Sequence, residues 1–158
     1  MLIGLLVVVG VGFATWAESG SDDSEHRAAG EAAWEERSVQ TENNGELIEG
    51  RIQLDPGEYT AQGMYVYGNA GLGIAVRSIS GGPIDVYTIR DQDIQAYRNG
   101  NDVPFVSNLS KEGVDEETAI IQAANTGDYW VSFDNTPVYG TEPEGSIEAE
   151  VAVAAGGL

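Results

Sequence analysis

From Leu47 onward the chain places apolar residues at every second position and interrupts each run with a turn. "ELIEGRIQL" aligns Ile48, Gly50, Ile52 and Leu54, and "GLGIAVRSIS" aligns Leu72, Ile74 and Val76. A period of two sends alternate side chains to opposite faces, so each run reads as a strand with one buried face. "YTAQGMYVYG", "IDVYTI", "TAIIQAA", "DYWVSF" and "SIEAEVAVA" continue the series. "DPGE" at Asp55 to Glu58 is a turn with a mechanism: Pro56 fixes φ and Gly57 permits a positive one. No long amphipathic helix follows Gly45. About eight short strands with a turn roughly every 8 to 14 residues predict an all-β fold. The expected architecture is an antiparallel two-sheet β-sandwich, jelly-roll or Ig-like.

Finer expectations follow from the same rhythm. In "DYWVSF", Tyr129, Val131 and Phe133 share the core face, with Trp130 and Ser132 on the other. "DQDIQAYRNGND" reads as a short helix or wide loop, with Ile94 and Tyr97 at helical spacing. "VPFVSNLS" reads as a short edge strand, because Pro104 cannot donate to a ladder. "NTG" at Asn125 to Gly127 predicts a hairpin turn joining "TAIIQAA" to "DYWVSF". "FDNT" predicts a turn in which Asp134 and Asn135 bond their own backbone.

Two segments precede the predicted sandwich, which spans residues 47–155. Residues 1–17, "MLIGLLVVVGVGFATWA", carry no charged side chain. As a helix they would reach about 25 Å, a little short of a typical hydrocarbon core of about 30 Å. The segment fits an uncleaved signal-anchor, a signal peptide cut after Ala17, or a buried helix; no Lys or Arg precedes it. Residues 18–46 are acidic and polar and read as a solvated stalk with some helix through Arg37. The one histidine, His26, lies in that stalk with nothing fixed around it.

Charge limits the partners. The chain has 26 acidic residues against seven basic ones, a formal charge of −19, and its one lysine is Lys111. Such a surface repels nucleic acid. The acids are spread along the whole chain, and lysine is nearly lost while arginine is kept. That habit resembles the proteins of salt-loving archaea, whose solvent screens self-repulsion over about 3 Å at molar salt. Cysteine is absent, which excludes disulfides, thiolate metal sites and thiol nucleophiles.

"LDPGEY" early, "GDYWVSFDNT" late and the closing strand "SIEAEVAVA" together resemble the GOLD domain, the Golgi-dynamics β-sandwich, over roughly Leu47 to Ala154. The resemblance implies a protein-interaction module outside the cytosol, without catalysis. The paired cysteines common in that family are missing here, and the chain closes on "VAVAAGGL" where secretory-pathway members carry a membrane span.

No catalytic residue is assigned. A nucleophile needs an adjacent base, and no Ser-His-Asp set, G-x-S-x-G, P-loop or H-E-x-x-H pattern occurs. A carboxylate-based hydrolase would need two tuned acids, and the many acids single out no pair. No cofactor is expected, with calcium the one candidate: Asp91, Asp93 and Asp102 flank the wide loop, and Asp85 is near in sequence. Asn108, in "NLS", is a glycosylation acceptor pattern for an exported chain. Pro137, Val138 and Tyr139 give their loop apolar content and mark it as a partner-contact surface. The expected function is a non-catalytic module at the outer face of the cell membrane, tethered by its N-terminal helix, or a secreted one. It would engage other surface proteins or assemble with itself. The alternative is a pilin-like or envelope filament subunit assembled through the apolar helix.

Overall fold

In the computed structural model of the protein, which describes residues 30–31, 35–40, 46–68, 70–115 and 117–156, the alternating runs become strands. In chain order they are β1 (Gly30–Glu31), β2 (Glu35–Gln40), β3 (Glu46–Leu54), β4 (Glu58–Val66), β5 (Gly71–Ser80), β6 (Ile84–Arg90), β7 (Lys111–Val114), β8 (Thr118–Ala123), β9 (Gly127–Asn135) and β10 (Ile147–Gly156). Between β6 and β7 lie a 3-10 turn at Asp91–Asp93, the short helix α1 (Ile94–Arg98) and a second 3-10 turn at Ser107–Leu109.

The strands form two five-stranded sheets, sheet A in the order β1-β4-β9-β6-β7 and sheet B in the order β2-β3-β10-β5-β8. From β3 to β10 every sequential connection crosses to the other sheet except β6 to β7. This is jelly-roll connectivity, so the two-sheet sandwich resolves to the jelly-roll form rather than the Ig-like one. Its outcome is that β3 and β10, far apart in sequence, pair along their length from Ile147 opposite Leu54 to Ala155 opposite Glu46.

The inner faces follow the alternation. In β10, Ile147, Ala149, Val151, Val153 and Ala155 are all buried while the residues between them are not. Tyr129, Val131 and Phe133 face them from β9, as expected. Burying one such large side chain contributes about 1.5–3 kcal/mol relative to leaving it in water, which is what holds the sheets together. The β3–β4 turn carries the chain from sheet B to sheet A: Gly57 takes φ +89°, and the Glu58 N–H donates to the Asp55 carbonyl at 3.0 Å.

Three expectations are corrected. The sandwich does not begin at residue 47, because β1 and β2, inside the expected stalk, join sheets A and B. The register places β2 along β3, Glu35 opposite Arg51 and Arg37 opposite Glu49, and this backbone pairing outweighs a weak local helix preference. The "NTG" hairpin is absent, since β8 pairs with β5 in sheet B whereas β9 sits in sheet A between β4 and β6. "VPFVSNLS" is not a strand: Phe105 makes one isolated bridge to Ile89, and Ser107–Leu109 forms a 3-10 turn. The apolar segment 1–17 and His26 lie outside the described residues. Among the described residues no helix is long and apolar enough to cross a membrane.

Candidate binding face

The outer face of sheet A departs from a simple apolar-in, polar-out pattern. In β6 the residues from Ile84 to Ile89 are all buried, so both faces of that strand are covered. The pairing registers lay out rows across β4, β9 and β6: Tyr59, Asp134 and Asp85; then Ala61, Ser132 and Tyr87; then Gly63, Trp130 and Ile89. Helix α1 docks over these rows through Ile94 and Tyr97, the helical pair read from the sequence. The result is a second hydrophobic cluster of Tyr59, Tyr87, Ile89, Ile94 and Tyr97, with Phe105, Trp130 and Tyr139 packed against it.

Two acids are buried at one end of this face, and each organises a loop. Asp85 accepts from the Gly113 N–H at 2.6 Å, the Thr141 N–H at 2.6 Å and the Thr141 hydroxyl at 2.8 Å. It thereby ties strand β7 and the loop after Asn135 to β6. Gly140 must be glycine, because a Cβ there would strike the Asp85 carboxyl and the Tyr87 hydroxyl. Asp134 accepts from the Thr136 N–H at 2.7 Å and from the Tyr97 hydroxyl. Burial pushes its carboxyl up to about 6, against the lowering effect of the Thr136 and Tyr97 bonds, and the nearby Asp85 adds to the rise. Burial likewise holds the Tyr97 and Tyr87 hydroxyls above their ordinary range, with the Asp134 and Asp85 charges respectively reinforcing it. Both hydroxyls therefore stay protonated and donate. This is a set of satisfied internal bonds, the condition under which buried polar groups rigidify a fold.

The opposite end of the face is open. Beyond Trp130, the β4 and β9 register places Tyr65 opposite Asp128. Tyr65 is 40% exposed and Tyr67 is 74% exposed, their rings meeting edge-to-face at 4.5 Å. Gly63, Tyr65, Asp91, Asp128 and Trp130 line a cleft of about 220 Å³. Its wall is fixed: the Trp130 indole N–H donates to Asp91 at 2.8 Å, and the Arg98 guanidinium lies 4.8 Å from the ring centre. The indole also covers Gly63, where a Cβ would sit 3.3 Å from the ring. The exposed Tyr65 ring beside the Asp91 and Asp128 carboxylates can take a partner that presents an apolar surface with a positive or hydroxyl-bearing edge.

On sheet B a larger groove of about 460 Å³ runs over Ala75 and Ala152, rimmed by Glu49, Arg51, Arg77 and Glu150. Arg51 bonds Glu148 and Glu150, each at 3.2 Å, and Arg77 also bonds Glu150. The Arg77 and Arg51 bonds hold the Glu150 carboxyl below its ordinary value. These partners are all substantially exposed, so solvent screens the pairs and they add little to stability.

The residues singled out from the sequence fall in different places. Asp91 sits in the 3-10 turn with its carboxylate on Trp130, Asp93 ends that turn, and Asp102 is exposed in the following loop. Among the described residues no group of three or more His, Asp or Glu is gathered to hold a metal. Asn108 is exposed in the second 3-10 turn, and the Ser110 hydroxyl accepts from the Thr88 N–H at 2.9 Å while donating to Val106. Pro137, Val138 and Tyr139 are half-buried. The Tyr139 ring stacks on Tyr97 at 5.2 Å and 9°, and its hydroxyl donates to the Asn101 carbonyl at 2.5 Å. The apolar content of that loop therefore goes first into roofing the second cluster. Asp134 bonds its own backbone as expected, whereas Asn135 reaches across to the Leu54 and Gly145 carbonyls at 3.2 and 2.9 Å. The cleft beside Tyr65 and the Asp85 pin were not anticipated. For the pin, the available signal was a strand, "IDVYTI", in which an acid sits on the same parity as Tyr87 and Ile89.

No family model matches the chain, and no curated protein matches it. Among solved structures, a family two carbohydrate esterase from Cellvibrio japonicus is similar with 11% identity and a TM-score of 0.30. The match covers 76% of this chain and 29% of that one. At that score the likeness carries nothing about activity.

Proposed function

We propose that this chain is a non-catalytic β-sandwich module, tethered at the outer face of the membrane of a salt-loving archaeon, that works by binding other surface proteins. The observation that carries the reading is the division of labour on sheet A. Its buried acids and most of its rings are spent on loops of the same chain, while Tyr65 and Tyr67 are left exposed beside the cleft. Exposed aromatics beside a concave, rigid wall are the groups that anchor protein contacts. The tether rests on the uncharged segment 1–17, and the outward orientation on the scarcity of Lys and Arg in the residues that follow it.

Fractionation of the native host at high salt, with N-terminal sequencing, tests the location. Recovery with membranes, the apolar segment retained, is the expected outcome; recovery wholly in the soluble cytosolic fraction overturns it. Cross-linking in intact cells tests the binding role. Replacing Tyr65 and Tyr67 together by alanine is expected to remove neighbours that the unaltered protein captures.

A further inference from the structure

The described sandwich has four sheet edges, and they are not treated alike. On sheet A, β1 is two residues long. The other edge, β7, is four residues long, carries Lys111 and Glu112, and pairs with β6 through a register shift beside Gly113 at φ +63°. On sheet B, β2 carries Glu35, Glu36 and Arg37. Shortness, charge and irregularity are the devices by which edges are kept from pairing with other chains. The fourth edge, β8, has none of them. "TAIIQA" contains no charge, proline or glycine, and Ala119, Ile121, Gln122 and Ala123 are exposed, Ile121 by 62%. Among the described residues it pairs on one side only, with β5.

We propose that β8 is the docking edge for a second copy of this chain, pairing antiparallel with itself about a two-fold axis at Ile121. A two-fold axis perpendicular to the sheet keeps outward residues outward, so only residues of the same face can oppose each other. Centred on Ile121, the register places Ile121 against its counterpart, Ala119 against Ala123, Thr118 against Ala124 and Glu117 against Asn125. No acid meets an acid along the seam, although each copy carries a formal charge of −19. The exposed isoleucine becomes a cross-strand pair. Two five-stranded sheets become one continuous sheet, and because the contact is isologous it closes at the dimer. An extended peptide from another protein could use the same backbone groups, but the self-complementary register favours a second copy. The proposal deepens the interaction reading above and rests on it, yet it needs no particular location, so the two are tested separately.

The test uses the purified full chain in detergent at molar potassium chloride, where the charge of each copy is screened. The chain has no cysteine, so Ile121→Cys introduces a single thiol. Opposed residues of antiparallel strands have Cα atoms about 4.5–5.5 Å apart, within the disulfide range. We expect a concentration-dependent dimer by sedimentation. Ile121→Cys should oxidise to a linked dimer at least about tenfold faster than Tyr67→Cys, because pairing raises the local thiol concentration. Ile121→Lys should sediment as a monomer with its circular dichroism unchanged. An unaltered protein that stays monomeric at every concentration overturns the proposal. So does a dimer that survives Ile121→Lys and cross-links no faster at position 121 than at position 67. Membrane recovery of an Ile121→Lys monomer would leave the location reading standing.

Discussion

Asp85 and Asp134 lie directly opposite each other on β6 and β9, buried to 2% and 3% exposure, yet each holds a different set of donors. Asp85 holds Gly113 and Thr141, and Asp134 holds Thr136 and Tyr97. Two neighbouring acids can be buried because each is surrounded by donors that would otherwise be unpaired.

Removing Asp85 should therefore cost more than its own contacts. Asp85→Ala leaves the half-buried Gly113 and Thr141 N–H groups without their acceptor, each a loss of about 1 kcal/mol. We expect the denaturation midpoint to fall accordingly, with the amides of Gly113 and Thr141 losing protection from hydrogen exchange before those of β10. Gly140→Ala should reproduce the loop opening by collision instead of by loss. Unchanged protection in both variants would refute the pin.

Asp134 gives a pH dependence with a defined sign. Its folded carboxyl titrates at about 6 against an ordinary 3.8, raised by burial. Between these values the folded state holds a proton that the unfolded state has released, so raising the pH through this window destabilises the fold. Asp134→Asn cannot titrate. Between about pH 4 and pH 7 the stability difference should therefore move toward the variant by about 2 kcal/mol. Paired urea denaturations at constant high salt measure it, and a difference flat with pH would contradict the assignment.

Tyr139 and Val138 separate packing from contact. Tyr139 stacks on Tyr97, meets Phe105 at 5.2 Å and bonds Asn101, so Tyr139→Ala should destabilise the isolated protein by about 2–4 kcal/mol. Val138→Ala should change stability by less than about 1 kcal/mol, half-buried as it is, while remaining free to affect partner capture. Equal stability losses at the two positions would mean that the loop is not roofed by Tyr139.

The parts of the fold that were legible in the sequence are those with one buried face. β10 and β5 bury alternate residues against a single core, so period two is visible directly. The rest was hidden by a second layer. Tyr59, Tyr87 and Trp130 occupy the outward parity of their strands, which reads as the solvent side until α1 and the loop carrying Tyr139 are known to cover it. β2 was hidden because Glu and Arg favour helix locally, while the edge that pairs with "EERSVQ", that of β3, lies further along the chain. The "NTG" turn failed for a related reason. A turn signal fixes a change of direction, and in a jelly roll that change carries the chain to the other sheet rather than back along the same one.

Gly63 tests whether the open cleft has the fixed wall that binding requires. A Cβ at this position meets the Trp130 ring at 3.3 Å, a contact the ring can relieve by shifting a few tenths of an ångström. Gly63→Ala should therefore be nearly silent. Gly63→Val adds two further carbons into the indole, and overpacking of this kind costs about 1–3 kcal/mol. The displaced ring would lose its 2.8 Å bond to Asp91 and its place beneath Arg98. The indole N–H resonance of Trp130, assigned by its disappearance in Trp130→Phe, reports that bond. It should stay put in Gly63→Ala and move toward the free-solvent position in Gly63→Val, with the surface neighbours captured through Tyr65 and Tyr67 reduced in parallel. If the resonance moves and capture is untouched, the wall is not part of the binding face and the contact rests on the two exposed tyrosines alone.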